Sequence, residues 1–181
     1  MRKYAKYYQM DETTGEYRYV GAHYRFAQSG DALRKRKRLF LAYALAALAA
    51  FLGAGLTDAG ETRAFYIALP YALSFLPAAF GVSAALGTLR LGARMTLPQY
   101  RRGPARLIAC ARGACALGLI LVLGSILHAV LVGGGTAAFP AFGALMCASG
   151  ALSWRMYAAD PPRAESPDAE VAKTNQIPNG Y

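Results

Sequence analysis

The chain has 181 residues, of which 55% are hydrophobic and 17% charged, with a mean hydropathy of +0.23 and a formal net charge of +10. A soluble domain of this size carries about a quarter charged residues, whereas here Asp58 and Glu61 are the only acids between Leu39 and Tyr157. Such segregation argues against an ordinary soluble domain. With bases beside apolar runs, the expected partners are anionic lipid headgroups rather than nucleic acid.

Residues 1–38 form a basic, tyrosine-rich head. The stretch KYAKYYQM-DETTG-EYRYVGAHYRF reads as two strands around a turn, with turn chemistry from Asp11 to Gly15 and alternating tyrosines on the flank. An isolated hairpin is marginal in water. It requires a membrane surface, the middle loop of the chain or a partner to hold it. Basic residues among tyrosines also suit a single-stranded nucleic acid, but no recognised module accompanies them here. Five consecutive bases, Arg34 to Arg38, then abut the first apolar run. Thirty-eight residues ahead of that run are too many for a secretion signal.

Four apolar segments follow: 39–57, 65–88, 107–132 and 137–157. The first, of 19 residues, makes about 28 Å of helix, close to one hydrocarbon thickness. The second and third are longer and have to tilt or project into the headgroups. The predicted fold is therefore an all-α integral membrane protein of four transmembrane helices. They form two antiparallel hairpins joined to a small β-hairpin-like head. Bases set the threading. Residues 1–38 and the middle loop, with Arg90, Arg94, Arg101, Arg102 and Arg106, are basic, whereas 58–64 holds Arg63 alone and 133–136 no base. By the positive-inside rule both termini and the middle loop are cytoplasmic. The final residues, 158–181, lack an apolar period and are expected to be a disordered tail.

Within the spans, small residues recur at four-residue spacing: Ala46, Ala50 and Ala54; Gly81 and Ala85; Ala114 and Gly118; Gly143 and Cys147. This spacing permits close helix packing in lipid. The three cysteines lie inside apolar segments and read as packing residues, without a disulfide framework. Pro70 and Pro77 fall on nearly one face of the second span, where they mark a helix kink that Ser74 helps to satisfy.

Chemistry-bearing residues are few. Arg112, His128 and Arg155 are ionisable groups near span ends, and their depth favours interface anchoring. The alternative makes Arg112 and His128 poles of a polar path, although about 24 Å of helix separates them. No Asp or Glu lies in any span, and two histidines are too few for a zinc site. No catalytic residue, metal ligand or cofactor is assigned. Headgroup contact is assigned to Arg34, Lys35, Arg36, Lys37, Arg38, Arg101 and Arg102. The expected protein is a non-enzymatic, multi-pass accessory or assembly component of the cytoplasmic membrane. It works with lipid and with another membrane protein or a second copy of itself. A small oligomeric channel or carrier is the alternative.

Overall fold

The computed structural model describes residues 7–10, 15–56, 64–133 and 137–165. It is mostly helical, with a small amount of sheet. Two short strands, β1 (Tyr8–Met10) and β2 (Tyr17–Tyr19), pair antiparallel with Tyr8 opposite Tyr19. Residues 11–14 of the predicted turn lie outside the described residues, but Gly15 takes the positive φ, +70°, that a turn there uses. The second predicted strand divides at Val20–Ala22, and its remainder becomes β3 (His23–Arg25) in a different sheet. Gly21 marks the break. A Cβ there would lie 2.5 Å from the Tyr19 hydroxyl, so a larger residue would require that side chain to move.

Helix α1 (Gly30–Leu56) starts nine residues ahead of the apolar run. The five bases are thus helical, and the head ends before them. Then come α2 (Phe65–Leu89), β4 (Arg94–Thr96), α3 (Leu97–Arg102), α4 (Pro104–Val132), α5 (Ala138–Ala159) and β5 (Arg163–Glu165). Thr96 and Gln99 form a capping box that starts α3, and Gly133 closes α4 in the left-handed conformation.

Three helical stretches, Gly30–Leu56, Phe65–Leu89 and Leu97–Val132, are long and apolar enough to cross a membrane. The 22-residue α5, diluted by glycine, serine and Arg155, is not among them. Helix α1 packs on α2 and α5, and α4 packs on the same two. Between α4 and α5 the approach is backbone to backbone. A Cβ on Gly118 would lie 2.5 Å from the Gly143 carbonyl, and one on Gly150 would collide with the Ala111 carbonyl. The small-residue pairs Ala114/Gly118 and Gly143/Cys147 lie at this seam.

The interior is built from small residues around a few large ones. Ala47, Ala54 and Ala114 surround Ile67, Leu121, Phe139, Phe142 and Met146, and a second cluster joins Phe40, Ala84, Ala85 and Leu107. Two buried hydroxyls turn back on their own helix: Ser74 donates to the Pro70 carbonyl (2.7 Å) and Thr88 to Ala84 (2.8 Å). Helix carbonyls are the acceptors at hand where water is scarce. Many other large apolar side chains point outward; Leu52, Leu123 and Leu131 are 56%, 63% and 69% exposed.

The expectation of a disordered tail from residue 158 is corrected over its first eight positions. Residues 158 and 159 complete α5, and Arg163–Glu165 form a strand beside β3. A three-residue strand has no apolar period to read. Its place comes from pairing, with Tyr24 opposite Ala164 on one side and Met95 on the other. The middle loop does hold the head, through β4, and the tail does so as well.

Candidate functional site at the basic end of the bundle

The described parts of the head, the middle loop and the tail converge where α1 begins. Phe26 is buried with Leu33 and Met95, and its N–H donates to the Ala93 carbonyl at 3.1 Å. Tyr24 stacks on Tyr100, with ring centroids 4.3 Å apart, and the Tyr100 and Tyr157 hydroxyls lie 2.9 Å apart. Tyr19 joins the turn to the loop, donating to the Ala22 carbonyl and accepting from the Leu97 N–H, both at 3.1 Å. Glu165 stands between Arg25 (3.6 Å) and Arg94 (3.4 Å).

The basic cluster splits by helical phase, since successive residues turn through about 100°. Arg34, Lys35 and Arg38 are exposed, whereas Arg36 and Lys37 are buried. Assigning headgroup contacts to Arg36 and Lys37 is therefore corrected. Both are used inside the protein, on the C-terminal ends of the two helices that flank α1.

Arg36 reaches the end of α5. Its Nη1 donates to Asp160 Oδ2 at 2.8 Å, and its Nη2 donates to the Met156 carbonyl and, at 3.2 Å, to that of Asp160. The Phe26 and Phe40 rings each lie 5.6 Å from the guanidinium carbon. Asp160 also accepts the Ala27 and Gln28 N–H groups, at 3.1 and 3.3 Å. Lys37 performs the matching task beyond α2, with Nζ 2.6 Å from the Leu91 carbonyl and 3.5 Å from that of Gly92. Burial lowers the Lys37 pKa from its ordinary value. The last carbonyls of a helix lack internal donors and carry the negative end of its dipole, so a cation suits both places.

Other sequence-assigned residues lie apart from this junction. Arg101 and Arg102 are exposed at the end of α3. The Arg112 guanidinium lies 5.5 Å from the Trp154 ring, and that of Arg106 4.4 Å from Phe80. His128 Nδ1 is 2.7 Å from the Tyr66 hydroxyl, at the far end of α2. Arg112 and His128 are not brought together. Pro70 and Pro77 both lie within an unbroken α2. Pro77 packs opposite Gly113, and the Tyr66 carbonyl, which Pro70 deprives of a helical donor, lies over Gly124.

Sequence reasoning missed Asp160. The available signal was an acid just past the end of a helix, where the dipole disfavours it unless a cation answers. It also missed that Cys115 and Cys147 meet, their sulfurs 3.4 Å apart as free thiols between α4 and α5. Among the described residues, no three or more His, Cys, Asp or Glu gather as a metal site would require. What the junction offers is exposed positive charge on one helix, from Arg34, Lys35 and Arg38. Comparison with protein-family models, curated proteins and solved structures finds no match to this chain.

Proposed function

We propose that the chain is a four-span integral protein of a cytoplasmic-type membrane, with both termini on the cytoplasmic side. It acts there as a non-enzymatic accessory or assembly component. The observation that carries this reading is the inverted distribution of side chains. Alanine, glycine and serine line much of the interior around a few large side chains, while many of the leucines, with isoleucine, valine and phenylalanine, cover the outside of the helices. In water that surface would be an aggregation liability; in lipid it is the solvent-facing surface, and small residues let the helices approach.

Helix α5 is the fourth span in this reading. It contributes Phe139, Phe142 and Met146 to the interior and turns Leu145, Leu152 and Trp154 outward, like its neighbours. The basic junction then sits at the cytoplasmic face, as the asymmetry of bases requires. Within one chain, the cleft bounded by Tyr43, Pro77, Gly81, Cys110 and Ser149 measures about 30 Å³, room for a water molecule, so a solute path in the alternative channel reading would run between copies.

Threading is tested by thiol labelling after Cys110, Cys115 and Cys147 are replaced by alanine. A cysteine at Ala59 should react with an impermeant reagent from outside intact cells, and one at Gln99 only after permeabilisation. External labelling at 99 would overturn the topology. The accessory role is tested by purification from native membrane. A stoichiometric partner supports it, and a bare oligomer supports the channel instead.

A further inference from the structure

A groove runs between the first turns of α1 and the segment that leaves α2. It encloses about 500 Å³, with Leu33, Leu89 and Leu91 among its apolar residues and Arg34, Lys37 and Arg38 as its bases. We infer that this groove is a binding site for one anionic phospholipid, its phosphate held by the exposed Arg34 and Arg38 and its chains leaving along the leucines. The inference rests on the membrane reading above and names the partner of the basic junction.

Three features of the groove select such a ligand. Arg34, Lys37 and Arg38 occupy positions i, i+3 and i+4, so their side chains share one face of α1. Among the described residues, the only acid paired with any of them is Asp31, 3.7 Å from Arg34 and wholly exposed, where water screens it. The groove also lies where α1 passes from its basic turns into its apolar ones, with Leu39 immediately beyond. Guanidinium groups pair with phosphate in bidentate fashion, and apolar walls beside them fit a ligand that is both anionic and greasy. A free phosphate would use the charges alone and leave the leucines without a role.

The test uses the full chain, delipidated in a non-ionic detergent and titrated with dioleoylphosphatidylglycerol, dioleoylphosphatidylcholine or inorganic phosphate, with binding read by native mass spectrometry. One phosphatidylglycerol should be retained in preference to phosphatidylcholine. The Arg34→Gln/Arg38→Gln variant should weaken that retention roughly tenfold, whereas Arg101→Gln/Arg102→Gln should not. Both pairs are exposed, and unchanged melting temperatures would show that each variant folds. Equal retention of the two lipids, or equal loss in the two variants, would overturn the site. Displacement by inorganic phosphate at concentrations similar to the lipid would overturn the lipid assignment in favour of a free anion. Thiol labelling decides the membrane reading independently. Correct labelling without lipid selection sinks the groove alone, and external labelling at position 99 sinks the reading beneath it.

Discussion

Arg36 Nη1 lies 2.8 Å from Asp160 Oδ2, and both side chains are less than a tenth exposed. The contact joins the first helix to the end of the last, 124 positions away. Through the Ala27 and Gln28 N–H groups, the same carboxylate holds the segment leading out of the head. One acid thus fixes three parts of the chain.

Removing one partner of such a pair strands a charge out of water. Arg36→Met should destabilise the protein by about 3–5 kcal/mol, whereas Arg36→Met combined with Asp160→Leu should cost less than the single change. Unfolding of the four proteins of this cycle in mixed micelles measures the coupling. A cost below about 1 kcal/mol for Arg36→Met would mean that the pair behaves as an exposed one.

The α4–α5 seam makes a second, ordered prediction. Gly118→Ala places a methyl group 2.5 Å from the Gly143 carbonyl and 2.7 Å from the Cys147 nitrogen, both backbone atoms that cannot swing away. Its expected cost is about 1–3 kcal/mol. Gly53→Ala meets nothing within 4 Å and sits inside α1, so it should be neutral or stabilising by up to about 1 kcal/mol. Melting temperatures of the two variants check the order. A tolerant Gly118 would show that the helices stand further apart.

The third prediction separates the accessory role from a coupled carrier. Carriers that couple to protons or sodium use ionisable groups in mid-membrane, and the four apolar segments contain no carboxylate. His128 lies four residues before the end of α4, where it meets Tyr66. The purified protein in liposomes should therefore drive no solute accumulation under a proton or sodium gradient. His128→Ala should cost about 1 kcal/mol of stability for the lost hydrogen bond and leave transport measurements unchanged. Gradient-driven uptake that this substitution abolishes would place His128 on a permeation path.

The sequence by itself determined the helices and their apolar character, because long runs without charge and the clustering of bases at their ends are one-dimensional properties. The cores of α1, α2, α4 and α5 lie where the apolar segments stand, and the small-residue spacing at Gly118 and Gly143 marks a seam that the structure closes. The positive φ at Gly15 was legible for the same local reason, since it is a preference of the residue itself. Tertiary structure alone decided the function of each base in Arg34–Arg38. Five adjacent cations look alike in sequence, yet helical phase turns Arg36 and Lys37 toward two helix ends and leaves Arg34, Lys35 and Arg38 outside. It also decided that Asp160 and Arg163–Glu165 belong to the fold. Their order comes from partners more than a hundred residues away, Arg36 for the acid and β3 for the strand. A short polar segment has no periodicity of its own to announce such pairing, which exists only once the helices have brought the two ends of the chain together.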